Sequence, residues 1–254
     1  MCYYYFENKK VYYKELGEGT PLLPLHGNTA SSKMFSEIAE EYKKDFKVIL
    51  IDFLGHGQSD RLKRFPADLW FYEAQQVIVF LREKNYSNVN IIGSSGGALV
   101  AINVALEAPD LVSKVIADSF EGEYPLESFT ATARADRELS KQDENTKMFY
   151  ACMHGSDWEQ VVDNDTDAVI RHSNEIGVFF HKPLHFLTAD ILLTGSKADE
   201  FISAISPDYF ENVYGAMIRK FKHGEIRLFP KGGHPAMLTN SKDFYELSLD
   251  FFRG

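Results

Sequence analysis

The sequence is poor in cysteine, in basic charge and in long apolar runs. Two cysteines, Cys2 and Cys152, are all that 254 residues carry. They build no disulfide framework, form no CxxC pair and have no adjacent histidine. A reducing compartment is therefore expected, with neither thiol reactive. Lys and Arg number 27 against 37 Asp and Glu, a net charge of −10. That balance argues against nucleic acid or an anionic membrane as partner, since both require basic patches. No stretch approaches the ~18 apolar residues of a membrane span. The opening MCYYYFENKK lacks a basic segment leading into an apolar one, so no signal peptide is expected. A cytoplasmic monomer or homodimer is the expectation.

Repeats, low-complexity segments and a Gly-rich phosphate loop followed by Lys are also missing. His172, His181 and His185 have no HExxH spacing and no Cys beside them, so no metal site is expected. Asp163-Asn164-Asp165-Thr166-Asp167 starts like a calcium loop. Ala168 and Asn174 then stand where a Gly and a Glu are needed. The segment reads as a helix start or a solvated acidic turn.

What is present is ordinary globular composition, 44% hydrophobic and 25% charged, with 20 Phe and 13 Tyr for packing. The first segments alternate as an edge hairpin, 1–6 and 11–16, around the turn Glu7-Asn8-Lys9. Strand and helix patterns then take turns. Apolar runs at 21–25, 47–51, 88–92, 112–117, 190–194 and 226–229 are separated by helical patterns at 32–42, 67–83, 97–107 and 204–220. A last helix starts near Ser241. Continuous apolar strands alternating with helices predict an α/β fold: a mostly parallel sheet of the eight-stranded type, covered on both faces. The alternation breaks only at about 121–186, which is charged and helical in places. The expected division is a core of 1–120 and 187–254 with a helical cap inserted at 121–186. Pro24 is anomalous in an interior strand, where it removes a ladder donor. A local bulge is the expectation.

The strongest chemical signal is Gly93-Ser94-Ser95-Gly96-Gly97, between the strand NVNII and a small-residue helix. This is G-x-S-x-G in the strand–turn–helix setting it needs. The symmetric glycines select Ser95 as nucleophile over Ser94. A serine hydroxyl is a weak nucleophile and needs a base. His234, in the Gly-rich loop after the last predicted strand, is the candidate. The acid is expected in the loop after the preceding strand, Gly195-Ser196-Lys197-Ala198-Asp199-Glu200, with Asp199 chosen and Glu200 its rival. An oxyanion needs two N–H donors. Gly96 and Asn28, in Leu25-His26-Gly27-Asn28, are the candidates, with His26 bracing that loop.

Taken together, LHGN at 25–28, DFLGHGQSD at 52–60, GSSGG, GSKADEF and GGHP at 232–235 make the chain resemble the α/β-hydrolase superfamily along essentially its full length. The stretch FPADLWFYEAQQVIVFLREKN is similar to the biphenyl-hydrolase-like amino-acid ester hydrolases. The resemblance implies a Ser95–Asp199–His234 triad, an acyl-enzyme route on small carboxylic esters, and neither metal nor organic cofactor. Aminopeptidase, amidase or C–C hydrolase action and a slow-turnover ligand receptor stay open. Glu121, Glu123, Asp157 and Glu159 form an acidic cluster that reads as a solvated face or as a partner for a substrate amine.

Overall fold

The computed structural model describes residues 2–202 and 205–254. Met1 and the start of the helix expected near Ala204 lie outside them. Among the described residues one sheet holds eight strands in the order β1-β2-β4-β3-β5-β6-β7-β8. These are β1 (Cys2–Phe6), β2 (Lys9–Leu16), β3 (Pro21–Leu25), β4 (Lys47–Asp52), β5 (Val89–Ser94), β6 (Val112–Asp118), β7 (Asp190–Ser196) and β8 (Gly224–Phe229). β1 and β2 form the expected edge hairpin, β2 runs antiparallel to β4, and every later pairing is parallel.

The central strands are buried on both faces, and their side chains sort by the two-residue strand period. Leu23, Ile49, Ile51, Ile91, Val115 and Leu193 enter one core. Their chain neighbours Leu22, Val48, Leu50, Ile92, Ile116 and Leu192 enter the other. Each such side chain contributes about 1.5–3 kcal/mol by leaving water. Helices α2 (Leu69–Glu83) and α3 (Gly96–Glu107) cover the first face. Helices α1 (Ser36–Tyr42) and α9 (Ser241–Arg253) cover the second. The helix expected over 32–42 starts as a 3₁₀ turn, Ser32–Phe35, before α1.

Pro24 sits in no bulge: its register with β5 runs unbroken from Leu22 to Leu25. Pairing of β3 with β4 stops at Leu22, so the missing donor falls where that ladder has already ended. Between β6 and β7 lie α4 (Glu127–Ser140), α5 (Glu144–His154), α6 (Trp158–Arg171) and a π-helical turn, His172–Ile176. Helix α7 (Tyr209–Ile218) and the short α8 (Ala236–Thr239) complete the set. No helix among the described residues is long and apolar enough to cross a membrane.

Candidate active site

The turn between β5 and α3 is built by close approach. A Cβ on Gly93 would lie 2.2 Å from the Gly97 carbonyl oxygen, and one on Gly97 would lie 2.1 Å from the Leu25 oxygen. Only hydrogen fits at either position. Ser95 stands at φ 55°, ψ −124°, a left-handed conformation that costs a non-glycine residue energy. Its N–H bonds the Asp118 carbonyl (2.8 Å) and its carbonyl accepts from Ala98 (2.8 Å), so the strain is held from both sides. Ser94 is fully buried in the strand, whereas Ser95 is part-exposed in a cavity of about 570 Å³.

His234 lines the same cavity, in the loop between β8 and α8. Its Nδ1 is 2.8 Å from Oδ2 of Asp199, which is fully buried. Asp199 Oδ1 also accepts from the Phe201 N–H at 3.0 Å. Glu200 plays another part: its Oε2 accepts from the backbone N–H of His234 at 3.0 Å. The two acidic neighbours thus hold different atoms of the same histidine. The end of β6 pins the loop that follows. Ser119 Oγ accepts from the Ala236 N–H (2.8 Å) and Asp118 Oδ2 from the Met237 N–H (3.0 Å). Burial pushes the Asp118 carboxyl up to about 6, against the hydrogen bonds that it accepts from the Met237 N–H and the Thr194 hydroxyl.

Asn28 and Gly96 both line the cavity beside Ser95. Gly96 is the first residue of α3, so its N–H has no partner inside the helix. A Cβ there would lie 2.2 Å from Asn28 Oδ1 and 2.7 Å from Trp70 Nε1. His26 is a brace. Its Nε2 accepts from the Phe53 N–H (3.2 Å), which leaves the proton on Nδ1, 3.0 Å from the Gly27 oxygen. Burial and the neighbouring His56 lower its pKa to about 3.

The loop carrying Asn28 is held from the segment between β6 and β7. Asp165, fully buried on α6, accepts from Asn28 Nδ2 at 3.1 and 3.2 Å and from the Thr29 N–H at 3.0 Å. It also lies 3.3 Å from His56 Nε2. The expectation of a helix start or solvated turn at 163–167 is therefore wrong. These residues sit inside α6, and the middle carboxylate faces the core. His154 on α5 bonds the Thr29 carbonyl (3.0 Å) and accepts from the Gly57 N–H (3.1 Å). Arg61 clamps Asp157 with two hydrogen bonds, at 2.8 and 2.9 Å. The four expected acidic residues do not gather. Glu123 pairs with Lys220, Asp157 with Arg61, Glu159 is exposed, and Glu121 alone lines the cavity.

Asp165, His56, His154 and Trp70 were not anticipated as parts of this site. The one local hint is spacing: Val161, Val162, Asp165, Ala168 and Val169 lie on the inward stripe of α6. Among the described residues, no group of three or more His, Cys, Asp or Glu side chains is placed to hold a metal ion.

Comparison with known proteins agrees with this architecture. The sequence pattern of the alpha/beta hydrolase fold family matches residues 20–151, just over half the chain. The (E)-2-((N-methylformamido)methylene)succinate hydrolase of Acinetobacter baylyi is 33% identical over 109 residues. That match spans 42% of this chain but only 40% of the relative's own length. Human serine hydrolase BPHL is 22% identical over 251 residues, 96% of this chain and 83% of that protein. The enol-lactonase of Burkholderia xenovorans superposes with a TM-score of 0.76 at 14% identity, covering 100% of both chains. At that identity the likeness establishes the fold.

Proposed function

The chain belongs to the alpha/beta hydrolase fold family, and on that premise we propose that it is a serine hydrolase of small carboxylic esters. The observation that carries this reading is His234, paired at 2.8 Å with buried Asp199 and lining the cavity where Ser95 sits at a positive φ.

In this reading Ser95 Oγ attacks the ester carbonyl carbon while His234 Nε2 takes the hydroxyl proton. Buried Asp199 holds the proton of Nδ1 and stabilises the imidazolium. The N–H groups of Asn28 and Gly96 receive the oxyanion. Collapse of the tetrahedral intermediate expels the alcohol, which takes its proton from His234 and leaves an acyl-Ser95 ester. Water, deprotonated by His234, then attacks that ester, releases the acid and restores the Ser95 hydroxyl. Residues 121–186 act as the cap. Leu126, Phe129, Phe149 and Tyr150 from this segment line the cavity, which supports that role.

The test pairs hydrolysis of 4-nitrophenyl acetate and butyrate with fluorophosphonate labelling, on wild type and Ser95→Ala. Turnover and label are expected in the wild type and lost together in the variant. Label that persists in Ser95→Ala overturns the choice of nucleophile. Label without turnover overturns the small-ester reading.

A further inference from the structure

Resting on the serine-hydrolase reading, we propose that the cavity takes substrates whose acyl part carries a carboxylate, and that Arg137 holds that carboxylate. Arg137 lies on the inward stripe of α4. Phe129, Ala133 and Arg137 recur at four-residue spacing; Ala133 is buried, and Phe129 and Arg137 line the cavity. Arg134, on the outer side of the same helix, pairs with Asp167.

Arg137 has no such partner. Among the described residues no carboxylate oxygen lies within 4.0 Å of its guanidinium. The one described hydrogen bond of its side chain runs from Nη1 to the Tyr150 hydroxyl at 3.3 Å, so four of five N–H donors are not spent on the protein. Other basic side chains nearby are engaged: Arg61 on Asp157, and Lys141 on Glu138 and Asp163. The charge is felt deep in the site. Burial opposes ionisation of Asp165, yet His56 and, at longer range, Arg137 hold its carboxyl below the usual range.

The cavity that Arg137 lines exposes mostly apolar surface, including Leu99, Phe120, Leu126, Phe129, Ile202 and Leu238. Glu121 is the one carboxyl in the lining, and burial pushes it up to about 7. Near and below neutral pH it is substantially protonated, which leaves Arg137 as the dominant fixed charge facing the cavity. A guanidinium fork with free donors at the wall of a largely apolar cavity matches a carboxylate, whose two oxygens take two parallel N–H groups. An ester with a second, free carboxylate beyond the scissile carbonyl fills both the apolar and the charged part of the cavity.

The test compares mono-4-nitrophenyl glutarate with 4-nitrophenyl pentanoate, near-isosteric esters with and without the charge. The wild type is expected to prefer the anionic ester by about tenfold in kcat/KM. Arg137→Gln is expected to erase that ratio, and Arg137→Lys to keep part of it. Added salt lowers the ratio in the wild type by screening. Binding is read apart from turnover by calorimetry on Ser95→Ala. Monomethyl glutarate is expected to bind about tenfold more tightly than methyl pentanoate, and equally weakly when Arg137→Gln is added. Equal binding and equal kcat/KM for the two ligand types overturn the proposal. If the wild type still hydrolyses the pentanoate and takes fluorophosphonate at Ser95, the hydrolase reading survives that failure. Selective glutarate binding without label or turnover supports the Arg137 subsite and overturns the hydrolase reading instead.

Discussion

Asp165 Oδ2 accepts the Thr29 backbone N–H at 3.0 Å, across 136 positions of sequence. Thr29 has φ 56°, an uncomfortable value for a β-branched residue. His154 bonds the carbonyl of the same residue, so two side chains from the β6–β7 segment hold the strained loop beside Ser95. Asn28 is thereby positioned by helices that follow it by more than a hundred residues.

Removal of that carboxylate should be costly. Asp165→Ala strands the Thr29 N–H and His56 Nε2 in a buried site and leaves part-buried Asn28 Nδ2 without its acceptor. A loss of about 3–5 kcal/mol is expected for breaking such a buried network. Urea unfolding should show a lower midpoint at unchanged slope. A loss under about 1 kcal/mol would mean that water replaces the carboxylate without penalty.

Asp199 and Glu200 should separate in kinetics. Asp199→Asn is expected to lower kcat by about 10⁴-fold, because the imidazole loses its tautomer and its counter-charge. Glu200→Gln keeps an acceptor for the His234 N–H and should cost tenfold or less, about 1.4 kcal/mol. Equal losses in the two variants would contradict the assignment.

Gly96→Ala places a methyl group 2.2 Å from Asn28 Oδ1. The Asn28–Trp70 contact, 3.3 Å between Oδ1 and Nε1, must open to admit it. Both proposed oxyanion donors then shift, and kcat should fall by about 10²–10³-fold. Near-UV circular dichroism checks that the fold persists. Full activity in a folded variant would place the oxyanion donors elsewhere.

Acid stability should carry the signature of His26. Its pKa is held at about 3 in the folded chain against an ordinary 6.5, so only the unfolded chain takes up this proton in between. The stabilisation is complete above about 6.5 and drains away as pH falls toward 3. Glu73, Asp118 and Glu121, raised by burial, work in the opposite direction. They are present in both proteins and cancel when wild type is compared with His26→Asn. The stability difference between the two should shrink by about 1.4 kcal/mol per pH unit between pH 6 and 4. Urea titrations at pH 7, 6, 5 and 4 measure it. A difference constant with pH would mean that His26 titrates in the fold as it does in the unfolded chain.

Sequence alone determined whatever depends on neighbours along the chain. The unbroken apolar runs VILI and NII report strands packed on both faces. The bracketing of Ser95 by Gly93 and Gly97 reports a turn where only hydrogen fits, and the Gly-rich loop places His234 after the last strand. Each of these is a local steric or periodic fact, written within a dozen residues. Tertiary structure decided what depends on distance through space. Asp199 and Glu200 are adjacent and chemically alike. Which one reaches His234 Nδ1 rather than its backbone is settled by how two loops, about 35 residues apart, curl over the sheet. The acidic run at 163–167 has the composition of a solvated turn. Only the docking of α6 turns one of its carboxylates into the core while its neighbours stay at the surface. A buried charge finds its partners across the fold, so the chain records the carboxylate but not the N–H groups that it meets.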